Sequence, residues 1–302
     1  MERVNLPITG ICSFAKYPIH TYLDTLKADI AVLGVPYDMG APYLSGAKMG
    51  PRRIREVSTH YGRGDVGFYD PETKEVYLAA PWRIVDCGDA DMIPVNLEGT
   101  FDSIESSVRK IISKGAIPVV MGGDHSITIP IARALDSYDD VMVIQFDAHL
   151  DWGDAPGGQR FTNGCPMRRM SEMPHIGKMF QIGIRGLGSS RREDFEAAYA
   201  YGSNVITAKK AKAMTPQEML ALIPENKYIY VSIDIDGFDL SIAPGVGSPS
   251  PGGLDFDWVN EVLEGITHKG QVIGFDLVEV APMYDPTNVT PRVAAMTMLG
   301  FM

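Results

Sequence analysis

The 302-residue sequence predicts an α/β fold built on an open, mostly parallel sheet. Three observations carry that expectation. Short apolar, β-branched runs recur along the whole chain, several are continuous rather than alternating, and amphipathic stretches separate them. A strand covered by helices on both faces has no polar face to present, so continuity marks a parallel, doubly covered strand. Strand and helix in alternation give the crossover units from which parallel sheets are assembled.

The runs are residues 30–36 (IAVLGVP), 83–87 (RIVDC), 117–121 (IPVVM), 141–146 (VMVIQF), 179–184 (MFQIGI), 204–207 (NVIT), 228–235 (YIYVSIDI) and 272–278 (VIGFDLV). Between them, residues 101–114 set apolar side chains at helical spacing and stop at Gly115, a residue suited to ending a helix. Residues 127–135 follow Ser126, residues 255–266 precede the last strand, and residues 291–302 close the chain as a helix. With no internal repeat, low-complexity tract or linker, a single domain over residues 1–302 is expected. The Gly- and Pro-rich stretches 155–158 (APGG) and 244–253 (PGVGSPSPGG) read as functional loops.

Composition narrows the class. Hydrophobic residues at 45% and charged residues at 22% are ordinary for a globular chain and exclude disorder and fibrous repeats. No run of eighteen apolar residues offers a membrane span, and residues 1–5 do not begin a secretory signal. Three cysteines, widely spaced and odd in number, speak against a disulfide framework, so a cytoplasmic protein is expected. Net charge is 27 − 38 = −11, which disfavours nucleic acid and anionic membranes as partners.

In parallel sheets ligands bind at the carboxyl ends of strands, and three polar constellations fall there. The first is MGGDHS (121–126), where glycines allow a tight turn that sets Asp124 and His125 at the start of a helix. A lone histidine in such a place is more commonly a cap than a ligand. The second is DAHLD (147–151). If the strand continues, Asp147, His149 and Asp151 share one face, while Ala148 and Leu150 pack inward on the other. Three such groups on one face repel and lose hydration unless a cation joins them. The third is SIDIDGFD (232–239), in which Asp234 and Asp236 share a face at the end of the most apolar strand and Asp239 lies beyond it, in a loop.

Together these segments supply His125, Asp147, His149, Asp151, Asp234 and Asp236. Two imidazoles and four carboxylates exceed the needs of one tetrahedral zinc and suit a pair of octahedral-type divalent ions. Mixed nitrogen and oxygen donors fit Mn²⁺, with Ni²⁺, Co²⁺ or Fe²⁺ as alternatives.

The three motifs, in this order, resemble those of the ureohydrolases: arginase, agmatinase and their relatives. GGDHS, DAHxD and SxDxD…APGxGxPxxGG match residues 122–126, 147–151 and 232–253. Weaker blocks match at residues 34–38, 46–55, 181–186 and 274–280, so the likeness spans about residues 28–302. The pattern is closer to the agmatinase branch, because the Ser-Gly-Asn-x-His-Gly segment of arginases is absent. The resemblance implies a three-layer α/β/α fold with an eight-stranded parallel sheet and two Mn²⁺ per chain on the six residues just named. It also implies a homo-oligomer, trimer or hexamer, and hydrolysis of a guanidino compound to urea and an amine. Agmatine is the leading substrate; guanidinobutyrate, guanidine or a biguanide, with Ni²⁺ in place of Mn²⁺, are alternatives.

The family's guanidinium-binding glutamate falls on Glu279. Its alternative is an ordinary salt bridge to a neighbouring arginine. Asp151 has the chemistry to ligate a cation and carry a proton to the leaving amine. One position departs from the pattern. Agmatinase-like chains carry a histidine in an HGxPFRR-like block, and here the block reads TNGCPMRR (162–169), with Asn163 in the histidine's place. Asparagine exchanges no proton near neutral pH. Either Asp151 manages proton transfer alone while Asn163 orients substrate, or the substrate differs, or the chain is a weak partner subunit in a hetero-oligomer. His175 is a possible substitute base but is expected on a surface loop. Cys165 reads as a small loop residue. The loops 155–168 and 242–252 are expected to line the entrance, with Trp152, Asp154, Arg160 and Arg168 available to a substrate tail. A single-zinc deacetylase, of similar fold but fewer ligands, is the competing enzyme class; a metal count per chain separates the two.

Overall fold

The computed structural model describes residues 6–302, so the reading of residues 1–5 lies outside the described part. Its strands are β1 (Ile30–Val35), β2 (Phe68–Tyr69), β3 (Val76–Tyr77), β4 (Ile84–Asp89), β5 (Ile117–Gly122), β6 (Val141–Phe146), β7 (Ile176–Ile184), β8 (Asn204–Thr207), β9 (Tyr228–Asp234) and β10 (Gln271–Val278). Its α-helices are α1 (Gly50–Ser58), α2 (Leu97–Ser113), α3 (Thr128–Arg133), α4 (Pro166–Ser171), α5 (Arg192–Tyr201), α6 (Ala208–Ala211), α7 (Pro216–Leu222), α8 (Phe256–Ile266) and α9 (Val289–Phe301). No described helix is long and apolar enough to cross a membrane.

Eight strands form one sheet in the order β4-β1-β5-β10-β9-β6-β7-β8, every pairing parallel, and β2 and β3 form a separate antiparallel hairpin. All eight apolar runs of the sequence are strands of this sheet. Register sets Val119, Phe275, Val231 and Ile144 side by side across β5, β10, β9 and β6. All four belong to one apolar layer, shared with residues of α1 and α6–α9. The opposite layer joins Tyr230, Val120 and Val143 to residues of α2–α5. This is the three-layer α/β/α arrangement, and alternation along each strand feeds both layers.

Helix boundaries differ from the periodicity where caps intervene. α2 begins at Leu97 rather than at residue 101, because the Asn96 side chain accepts from Gly99 N at 2.9 Å and starts the helix one turn early. α9 begins at Val289, two residues ahead of Pro291. Five helices that apolar spacing did not reveal (α1, α4, α5, α6, α7) are short. α7 is fixed instead by a capping box, Thr215 with Glu218.

One buried ion pair ties α1 to the edge strand β4. Arg55 grips Asp86 through Nε at 2.8 Å and Nη2 at 3.0 Å, and reaches Asp89 through Nη1 at 2.6 Å. Asp86 is almost fully buried and also accepts from Phe14 N at 2.7 Å. Removing one member leaves a charge buried and unpaired. Arg55→Met is therefore expected to lower unfolding free energy by about 3–5 kcal/mol in urea titrations; a loss under about 1 kcal/mol would show that the pair adds nothing.

Candidate metal centre

Four adjacent central strands, β5, β10, β9 and β6, each deliver one segment of the site at their carboxyl ends. After β5 the chain turns at Gly123, whose φ of +26° and closeness to the Tyr37 carbonyl leave no room for a side chain. Asp124 caps the single 3₁₀ turn His125–Ile127 that leads into α3, accepting from Ser126 N at 2.9 Å and Gly40 N at 2.6 Å. This places His125 as the turn motif predicts.

β6 ends at Phe146, so residues 147–151 are not a continuing strand as the alternation assumed. Asp151 reaches the site through a left-handed backbone, φ 53°, and Ala148 and Leu150 are buried as expected. β9 likewise stops at Asp234, and Asp236 sits in the 3₁₀ turn Ile235–Gly237 that follows. Gly237 packs so tightly that a Cβ would lie 2.9 Å from Asp147 N. After β10, Glu279 adopts φ 65° and donates its backbone N–H to the Gly123 carbonyl at 2.8 Å.

The six predicted donors converge. His125 Nδ1 lies 3.1 Å from Asp147 Oδ2, 2.8 Å from Asp151 Oδ2 and 3.3 Å from Asp234 Oδ2. His149 Nδ1 lies 3.5 Å from Asp147 Oδ1 and 3.0 Å from Asp236 Oδ2. Two donor sets result, His125–Asp147–Asp151 and Asp147–His149–Asp236, with Asp147 common to both.

His125 Nδ1 is buried among three carboxylate oxygens yet has hydrogen-bond geometry to none of them, the mark of a donor aimed at a shared cation. Its other nitrogen explains the orientation. Nε2 meets Ser232 Oγ at 2.8 Å, and that hydroxyl donates to Asp276 Oδ1 at 2.7 Å. The Ser232 proton is committed to Asp276, so Nε2 carries the ring proton and Nδ1 keeps its lone pair free for a cation. A cation fits this set.

Without a cation the cluster is held by protons. Burial disfavours charged imidazoles, yet the facing carboxylates hold His125 well above its ordinary range and push His149 up to about 12. Burial, then the Asp147 charge, pushes Asp151 up to about 6. Burial raises Asp234 as well, helped by its neighbours Asp236 and Asp147.

Seven of the eight candidate residues line a cavity of about 360 Å³, and Asp147 is buried beneath its wall. Glu279 is buried, and its Oε1 accepts from His125 N at 2.9 Å and Asn163 Nδ2 at 3.1 Å. Among the described residues no lysine or arginine pairs with it, so the salt-bridge alternative fails. Burial, followed by the Asp124 charge, pushes its carboxyl up to about 8.

The substrate-tail expectation is corrected. Trp152 is buried against Tyr201, Asp154 is taken by Arg169 at 2.6 Å and Arg160 at 3.5 Å, and Arg168 faces Glu172 at 3.6 Å; none lines the cavity. His175 is buried, not on the surface, and its Nε2 meets the Ala132 carbonyl at 2.9 Å, outside the site. Cys165 is buried too, and burial raises its thiol. Asp239 caps its own loop, accepting from Ser241 N at 3.0 Å and Gly253 N at 2.9 Å. Thr162, Asn163 and Ser248 come from the two loops expected at the entrance. Ser189, Ser190 and Arg191, between β7 and α5, and Asp194, in the first turn of α5, were missed; their place just past the carboxyl end of a strand was the available signal.

Comparison with known proteins agrees with this geometry. The family model described as Arginase family matches residues 28–302. The mitochondrial guanidino acid hydrolase of Homo sapiens is 34% identical over 303 residues, 97% of this chain and 82% of that protein. Agmatinase of Pyrococcus horikoshii is 34% identical over 282 residues, 92% of this chain and 93% of that one. The structure of proclavaminate amidinohydrolase from Streptomyces clavuligerus aligns with TM-score 0.83 at 30% identity, covering 98% and 97% of the two chains. Fold and centre together define a metal-dependent amidinohydrolase. More specifically, the chain belongs to the arginase family.

Because both imidazoles hold protons above neutral pH in the cation-free protein and must lose them to ligate, metal uptake at pH 7 is expected to release protons. Adding Mn²⁺ to the metal-free protein in weak buffer should acidify it, and the signal should shrink in His149→Ala. Uptake with no proton release would contradict the arrangement.

Proposed function

We propose that the protein hydrolyses a guanidino compound to urea and an amine, using two divalent cations, Mn²⁺ by preference, held by His125, Asp147, His149, Asp151, Asp234 and Asp236. The observation that carries this is Glu279. A buried carboxyl with no cationic partner, at the wall of a cavity whose other groups are metal donors, calls for a planar cation brought by the substrate.

When bound, the cation pair supplies the Lewis acidity that makes water a nucleophile near neutral pH. The chain's residues do the rest. Asn163 and the His125 N–H hold Glu279 Oε1, leaving Oε2 to take one guanidinium N–H and set the carbon over the attacking oxygen. Asn163 is thus a positioning residue for Glu279. Asp151 is suited to receive the proton released as the C–O bond forms and to pass it to the amine nitrogen as the C–N bond breaks. Guanidinium and water then balance urea and an alkylammonium ion.

Agmatine is the first choice of substrate, because Asp194 stands at the mouth and the −11 net charge attracts a dication. A guanidino acid is the second, favoured by Arg191, which lines the same mouth and has no carboxylate within ion-pair distance among the described residues. Urea release should be measured on agmatine, guanidinobutyrate, guanidine and a biguanide, with Mn²⁺ and Ni²⁺ in turn. Glu279→Gln is expected to cut kcat/KM by about 10²–10³-fold without changing metal content. No urea from any compound with both cations bound would instead favour a weak partner subunit. A homo-oligomer, trimer or hexamer, belongs to the same proposal; sedimentation of the purified protein tests it.

A further inference from the structure

Two glutamines lie fully buried behind the acids, and the reaction uses neither. Gln145, in β6, donates Nε2–H to Asp147 Oδ2 at 2.6 Å. Its Oε1 accepts from Gln181 Nε2, in β7, at 2.7 Å. The same Gln181 nitrogen donates to the Leu150 carbonyl at 2.6 Å, and Gln181 Oε1 accepts from Ser203 Oγ at 2.9 Å. Ser203 is buried as well, in the turn between α5 and β8.

An amide has nearly the same shape with its two ends exchanged, so a group unable to exchange roles must set the direction of this chain. The Leu150 carbonyl is that group, since it only accepts. Gln181 therefore turns its NH₂ inward, Gln145 answers with its oxygen, and only the Gln145 NH₂ is left for Asp147. The reverse order would press a carbonyl oxygen against a carboxylate oxygen with no hydrogen between them, a costly contact where no water reaches.

We infer that Gln145 and Gln181 form a buried amide relay whose task is to orient Asp147, the carboxylate common to both donor sets. The inference rests on the reading of Asp147 as a ligand shared by two cations. Gln145 ties Oδ2 on the side of His125, while His149 N donates to Oδ1 at 2.6 Å on the other side. With both oxygens tied, the carboxylate plane cannot rotate, and one oxygen faces each donor set. Gln181 also holds the peptide immediately before Asp151, so one side chain steadies two ligands. Gln145 and Gln181 touch no reacting atom; they are positioning residues.

The test is Mn²⁺ binding to metal-free protein, followed by calorimetry and by atomic absorption after gel filtration, with the thermal midpoint of each metal-free variant recorded. Gln145→Met removes the donor at similar length, Gln145→Glu replaces it by a carboxylate, and Gln181→Met releases its hold. Loss of about 10–100-fold in Mn²⁺ affinity is expected for the two Gln145 variants, with fewer than two ions retained, and a smaller loss for Gln181→Met. Two ions held at wild-type affinity in both Gln145 variants would overturn the relay. Should those variants not fold, Gln181→Met and Ser203→Ala carry the test, and unchanged affinity in both would overturn it equally. Asp147→Ala separates the two levels: if it too binds two ions normally, the shared-ligand reading itself has failed.

Discussion

Crowding of like charge in a dry place is the constraint on which this molecule depends. Asp147, Asp151, Asp234 and Asp236 lie in one patch with two imidazoles, all but His149 nearly excluded from water. Such a patch is unfavourable on its own, because the attraction gained does not repay the hydration lost unless every lone pair is met. The backbone meets many of them: Asp236 N donates to Asp234 Oδ1 at 2.8 Å, and Ala148 N to Asp236 Oδ1 at 3.1 Å. What the backbone leaves open points inward, toward a common centre.

The sheet order makes the crowding possible. β10 is last in sequence but sits between β5 and β9, so Glu279 emerges beside His125 although more than 150 residues separate them. Both apolar layers hold these strands rigid, and the side chains at their ends inherit that rigidity. Behind the site, Asp276 accepts from Ser232 Oγ, from Thr128 Oγ1 at 2.9 Å and from Tyr230 OH at 2.5 Å. Three hydroxyls, two from β9 and one from α3, thus converge on one buried carboxylate, and through Ser232 they fix the tautomer of His125.

Much of this was legible in the sequence, for identifiable reasons. Every strand of the main sheet was marked by an apolar, β-branched run, several of them continuous, and each site segment followed one of them. The six donors were visible because charged residues directly after fully apolar strands have few structural explanations. Alternation found the right residues in 147–151 and 234–236 although the first segment lies wholly past the end of β6 and the second leaves β9 after Asp234: a left-handed residue at Asp151 and a 3₁₀ turn at Asp236 bring the side chains to the same side. Gln145 and Gln181 went unnoticed because an amide inside a strand carries no charge to mark it. The mouth was misjudged because Trp152, Asp154 and Arg168 were placed by nearness in sequence, whereas ion pairs with Arg169 and Glu172 and apolar packing claim them first. α1 and α4–α7 were too short, or too charged, to show a helical stripe.

Asp151 and Glu279 share a backbone shape that carries its own consequence. Both sit in a left-handed conformation that side chains with a Cβ adopt at a cost of about 1–2 kcal/mol. Glycine would relax either position and make the chain sturdier while erasing the carboxyl on which the proposed chemistry rests. A search for heat-resistant variants, blind to turnover, would therefore drift toward inert ones at these two places. At these two places durability and reactivity pull in opposite directions, because the side chain that strains the backbone is also the one aimed at the cavity.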